Sequence, residues 1–250
     1  MLTKRIIPCL DVKEGIVVKG FGFKNLREIG DPLFFAKKYY QEGADEIILL
    51  DISASAEYRK TTIELVKKIA SEIFIPFCIG GGIKSIDDIN ALLKIGADKI
   101  SICTAAVLNP DIIFKSAKKF GSQCIVLSLD AKKKGNSWEV YIYGGTKPTG
   151  LDAIEFARKC ALLGCGEILV NSLDKDGTGS GYDLDLLRKL SESVNVPIIA
   201  SSGAGNMEQI YCAFSKGCAD AALVASIFHD NKYSIKEVKE FLKKKGLCVR

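Results

Sequence analysis

Asp11 and Asp130 are the residues whose type and spacing point most directly to chemistry. They lie 119 residues apart, and each closes an apolar run, KRIIPCLD in one case and GSQCIVLSLD in the other. Two carboxylates on opposite sides of one site serve as general acid and general base when their surroundings differ. The stretches beyond the two aspartates also repeat. IPFCIGGGI (75–83) corresponds to VPIIASSGAG (196–205), and ADKISICTAAVLNP (97–110) to ADAALVASIFHDN (219–231). Small residues at such places let backbone N–H groups approach an anion closely. Residues 80–82 with 103–106, and 202–205 with 225–226, therefore read as two phosphate seats built around Gly82, Thr104, Gly203 and Ser226. Lys19 is available to one of them. The plan suits an elongated substrate that is anionic at both ends and exchanges protons in the middle. Asp51 and Asp176, the latter beside Gly177 in DKDGT, either position substrate hydroxyls or cap turns.

The elements that must hold these residues alternate short apolar runs with amphipathic segments, the pattern of a parallel sheet covered by helices. Eight strand-like runs fall at about 5–10, 46–51, 75–79, 98–103, 123–129, 167–172, 196–201 and 220–225. Asp31-Pro32, Ser85 with Asp88, and Asn109-Pro110 mark helix starts. Gly43, Gly96, Gly121, Gly164, Gly217 and Gly246 mark helix ends. The expectation is one α/β domain, a (β/α)8 TIM barrel over 1–250 made of two repeated half-barrels, about 1–121 and 122–250. An open doubly wound sheet would not readily explain why the halves match. The connections 11–30 and 131–151 are longer than a barrel needs. Each contains a hairpin-like stretch, which reads as a lid or as decoration.

Arg5, Glu46, Lys99 and Glu167 stand at strand starts, on the opposite face. Charges there are expensive unless paired, so they form either an ion-paired plug or a gated opening for something small.

Composition narrows the possible functions. At 250 residues and 48% hydrophobic the chain supports one large core. No long apolar run or leader-like segment appears, so a soluble, cytoplasmic protein is expected. Nine cysteines without a CxxC pair, with Cys9, Cys78, Cys103 and Cys124 inside apparent strands, read as reduced thiols rather than disulfides or a metal site. The net charge of +5 lacks the aromatic interleaving of a nucleic-acid surface and suits anionic small molecules better. His229 is the single histidine, and no cysteine has an obvious claim on it for a glutaminase triad.

With KRIIPCLDV, VVKG, DISAS, GGGI, SICTAAV, FGSQ, GEIL, DKDGT, SGYD, IIASSGAG and ASIFH in place, the sequence resembles end to end the cyclase subunit of imidazole glycerol phosphate synthase. The resemblance implies a (β/α)8 barrel with an acid/base pair at Asp11 and Asp130. It also implies a bis-phosphorylated substrate and a separate glutaminase that docks on the N-terminal barrel face and sends ammonia through the barrel. The gate and partner face would be Arg5, Glu46, Asp98, Lys99 and Glu167. The substrate contacts would be Lys19, Asp51, Gly82, Cys103, Thr104, Asn171, Asp176, Gly177, Gly203, Ala225 and Ser226. No cofactor, metal, nucleic acid or membrane is implied. Cys103, where asparagine is usual, departs from the pattern, as do Asn171 for threonine, Ser202 within a Ser-Gly-Gly and Phe21-Gly22 for a polar pair. Asn171, GTKPTG (145–150) and SLDAKK (128–133) resemble a paralogous branch that helps amidate surface-glycan sugars. The same barrel plan would also serve a non-catalytic scaffold for a glutaminase, or the sister isomerase of the pathway. The retained Asp11 favours the cyclase over the paralogue, the intact aspartate pair argues against a scaffold, and VVKG with the rim charges favours the cyclase over the isomerase.

Overall fold

A computed structural model describes residues 3–21, 24–53 and 59–250. Gly22 of the Phe21-Gly22 pair and Ala54-Ser55 of DISAS lie outside the described residues. The first half contains β1 (Arg5–Lys13), β2 (Ile16–Phe21), β3 (Lys24–Gly30), β4 (Ile47–Asp51), β5 (Phe77–Gly80) and β6 (Lys99–Ile102). Its helices are α1 (Pro32–Gln41), α2 (Arg59–Ala70), α3 (Ile86–Lys94), α4 (Thr104–Leu108) and α5 (Asp111–Phe120). The second half contains β7 (Ile125–Lys134), β8 (Ser137–Ile142), β9 (Lys147–Asp152), β10 (Glu167–Ser172), β11 (Ile198–Ser201) and β12 (Ala221–Val224). Its helices are α6 (Ala153–Leu162), α7 (Leu184–Ser193), α8 (Met207–Ser215), α9 (Ser226–His229) and α10 (Ile235–Lys244).

Strands β1, β4, β5, β6, β7, β10, β11 and β12 pair in parallel in that order, and β12 returns to β1. The barrel is closed, so no edge strand is left among these eight. Period-two alternation divides each strand between two cores. Ile6, Leu10, Ile47, Leu49, Leu127 and Val170 pack outward with the helices. Ile7, Cys9, Ile48, Cys78, Val126, Leu169, Ile199 and Leu223 fill the interior.

Both long connections are antiparallel hairpins, β2–β3 after β1 and β8–β9 after β7. They lengthen the parent strands, so β1 runs to Lys13 and β7 to Lys134 rather than stopping at the aspartates. Helix starts follow the predicted chemistry. The Asp31 side chain accepts from Phe34 N at 2.7 Å, and Ser85 and Asp88 form a capping box. Asn109 instead closes α4, and Pro110 precedes α5. Five of the six expected terminal glycines have positive φ; at the sixth, Cys218 takes it (φ 57°) while Gly217 avoids a clash, because a Cβ there would lie 2.7 Å from Ala213 O. Cys103 and Cys124 prove to lie outside strands. The β6 ladder ends at Ile102, and Cys124 closes the short 3-10 turn Ser122–Cys124.

Candidate active site

The C-terminal mouth of the barrel holds a cavity of about 330 Å³. It gathers Asp11, Lys19, Asn171, Asp176, Gly177, Gly203, Ala225 and Ser226 from strand ends and loops that are distant in sequence. Parallel strands deliver their C-terminal ends to one face, which is why these positions converge.

The two aspartates have different neighbours. Asp11 is partly buried, and among the described residues the hydrogen-bond donor at its carboxylate is the Cys9 thiol, 3.6 Å from Oδ1. Burial and the nearby negative charge of Asp176 push its pKa up to about 7. Asp130 is buried just behind the cavity wall. Asn171 Nδ2 donates to its Oδ1 at 2.8 Å, and the Cys103 thiol faces Oδ2 at 3.7 Å. Burial, and more weakly the negative charge of Asp176, raise Asp130 as well, and its two donors offset part of that rise. Asp11 is thus set to hold a proton near neutral pH; Asp130 is raised too, and differs in the Asn171 hydrogen bond that favours its charged form.

The small-residue loops are shaped by close backbone approach. Gly181 N donates to Gly203 O at 2.8 Å. A Cβ on Gly203 would lie 2.3 Å from Gly181 O, and one on Gly205 the same distance from Gly179 O. Side chains larger than hydrogen would push the loops after β10 and β11 apart. Ser202 adopts φ +73°, a conformation that glycine tolerates better, at the position where the sequence departs from Ser-Gly-Gly. Cys103 and Ala225 hold equivalent places before α4 and α9. Their φ/ψ values are similar (−111°/−92° and −121°/−71°), and neither caps its helix with a side chain. The repeat is therefore visible in backbone geometry as well as in sequence.

Other expected site residues are placed elsewhere. Asp51 spends its carboxylate locally, accepting from Ser53 N at 2.8 Å and Thr62 Oγ1 at 2.5 Å. Gly82, in the left-handed region at φ +62°, and Thr104 lie outside the cavity lining. Thr104 Oγ1 accepts from Tyr143 N at 3.1 Å, so the β8–β9 turn touches the seat of the first half. Lys19 joins the seat of the second half, where it pairs with Asp230.

At the N-terminal face the four rim charges close a ring. Arg5 NH1 lies 2.9 Å from Glu46 and 3.0 Å from Glu167, and Lys99 Nζ lies 2.7 and 3.0 Å from the same two residues. Burial pushes Glu46 up, against the pull of Lys99. Burial also acts to lower Lys99, but the two carboxylates outweigh it and leave its pKa raised. Asp98 stands beside the ring with Oδ2 accepting from Phe77 N at 2.9 Å. Asp220 makes the matching contact to Ile198 N at 3.0 Å.

Ser101 and Phe74 are the residues at these sites that gave no sequence signal. Glu46 Oε1 and Ser101 Oγ are buried without a hydrogen-bond partner among the described residues. Phe74, 81% exposed, flanks Pro76 and Asp98 at the N-terminal face. His229 lines the cavity, but Tyr39 OH holds its Nδ1 at 2.6 Å, and burial lowers its pKa to about 4. It is a neutral strut. All nine cysteines are unbridged. Among the described residues no helix is long and apolar enough to cross a membrane, and no cluster of metal ligands occurs.

A family model described as "Histidine biosynthesis protein" matches residues 5–234. The imidazole glycerol phosphate synthase subunits HisF of two Dehalococcoides mccartyi strains are each 58% identical over 250 residues, spanning 100% of this chain and 99% of their own. The same subunit of a third strain is 56% identical with equal coverage. On sequence likeness along its whole length and on a fold with the expected closed barrel, the chain belongs to the histidine biosynthesis protein family.

Proposed function

We propose that this chain is the cyclase of an imidazole glycerol phosphate synthase. It combines ammonia with a bis-phosphorylated aminoimidazole carboxamide ribulosyl substrate and releases imidazole glycerol phosphate and aminoimidazole carboxamide ribotide. The observation that carries this reading is the pair of carboxylates at one end of the barrel, both raised by burial, with Asn171 donating to Asp130. Asp11, short of donors and near Asp176, acts as general acid. Asp130, held by Asn171 and Cys103, acts as general base. Ring closure needs a proton removed at one atom and delivered at another, and the pair supplies both roles. Asp176 positions the substrate between them.

The phosphates sit at the two repeated loop pairs, one at Gly82 and Thr104, the other at Gly203, Ala225 and Ser226 with Lys19. Backbone amides bind an anion without needing a charged side chain at each contact. Crystals soaked in phosphate are expected to show one anion in each seat. Density in neither seat would remove the two-phosphate reading.

Ammonia enters at the opposite face, between Arg5, Glu46, Lys99 and Glu167, from a glutaminase bound over Asp98 and Phe74. The buried Glu46 Oε1 and Ser101 Oγ supply acceptors for a small N–H donor along the interior. A cytoplasmic location fits the unbridged thiols. The gene is expected to restore growth without histidine to a cyclase-deficient auxotroph. Failure to complement, with soluble protein present, would bring sugar amidation to the front.

A further inference from the structure

Among the described residues, one side chain outside the β2–β3 hairpin, Asp230, makes ion pairs to both of its strands. β2 and β3 contribute Val18, Lys19, Gly20 and Leu26 to the cavity lining. Their root on the barrel is short, with Val12 opposite Val17 and Lys13 opposite Ile16, and the β2–β3 ladder itself has register shifts. Lys19 and Arg27 stand opposite each other across the hairpin. Asp230 takes Lys19 Nζ on one carboxylate oxygen and Arg27 NH2 on the other, so one side chain holds both strands. The anchor itself is firm. Asp230 N donates to Ser226 O at 3.0 Å, tying it to the proposed phosphate seat. The flanking His229 and Asn231 are fixed to α1 through Tyr39 OH at 2.6 Å and Lys38 Nζ at 2.5 Å.

We propose that Asp230 is the positioning residue of the lid: it seats the β2–β3 hairpin over the cavity before substrate arrives and so aims Lys19 at the substrate's anionic end. The aiming of Lys19 rests on the reading of the cavity as the active site; the seating of the lid does not. Asp230 is 41% and Arg27 61% exposed at the side chain, so the grip is modest and screened by salt. A lid that must open for each turnover is suited by such a hold. The rival explanation is electrostatic only, with Asp230 merely lowering the positive potential at the mouth.

Asp230→Asn and Arg27→Gln separate the two, because they change the local charge in opposite directions while both break the grip. Hydrogen exchange of the β2 and β3 amides in the ligand-free full chain is expected to speed up several-fold in both variants and to stay near wild type in Asp230→Glu. With free ammonium as nitrogen source, KM for the bis-phosphorylated substrate is expected to rise about two- to fivefold in both, the scale of losing exposed ion pairs, with kcat changing less. Unchanged lid exchange, or KM moving in opposite directions in the two variants, overturns the proposal. Faster exchange in both variants with no turnover of this substrate even by wild type would sink the active-site reading and leave the seating of the lid supported.

Discussion

Asp130→Asn and Asp11→Asn are each expected to lower kcat by at least the roughly 10²–10⁴-fold typical of a lost general acid or base. Asparagine keeps the shape and most of the hydrogen bonding at both sites but exchanges no proton. Substrate affinity changes little in this account, because the phosphates anchor elsewhere. The two variants part company in stability. Asp11 has a folded-state pKa of about 7 against an unfolded value near 4. Its carboxyl therefore favours folding fully below about pH 4, and that favour is lost as pH rises through 7. Asp11→Asn escapes the loss and should be more stable than wild type at pH 8, by roughly 2–4 kcal/mol, with the advantage vanishing toward pH 4. Denaturant melts at the two pH values read this directly. An inactive Asp11→Asn that is no more stable at pH 8 would mean Asp11 is already ionised at little cost, and the acid role would have to move.

Lys99→Ala is expected to uncouple the two reactions. Glu46 is 1% exposed and shares Lys99 with Glu167, so removing Lys99 leaves Arg5 alone to balance two carboxylates. Breaking one partner out of a buried ionic set costs about 3–5 kcal/mol. The ring should loosen or lose its alignment, and ammonia released by the glutaminase should leak. Glutamate formed per cyclised product should rise above one, while the reaction with free ammonia, which enters at the open mouth, changes less. A ratio held at one-to-one would make the ring a structural plug.

Much of this is legible in the sequence because it is written in spacing. The eight strands, the two hairpin connections and the matching of Asp11 with Asp130 follow from a repeat and from period-two apolar runs, which depend only on local order. The ring of rim charges is legible for the same reason, since charged residues at strand starts must find one another on the closed face. Contacts between distant side chains are not. Lys19 and Asp230 are 211 positions apart, and nothing in either neighbourhood announces the pair. Asp51 resembles Asp11, a carboxylate at the end of an apolar run, yet Ser53 beside it and Thr62 on α2 occupy its carboxylate. Cys103 stands in sequence within a phosphate seat; its thiol faces Asp130 instead. Gly217 has the spacing of a helix-ending glycine, but it is needed for a close approach to Ala213 and Leu187.

The measurement that tests the cyclase assignment most directly uses the isolated chain, free ammonium at alkaline pH and the bis-phosphorylated substrate, with both products quantified. The account predicts one imidazole glycerol phosphate and one aminoimidazole carboxamide ribotide for each substrate consumed, and no use of glutamine until the glutaminase is added. Substrate that binds but yields neither product, at any ammonium concentration, would contradict it.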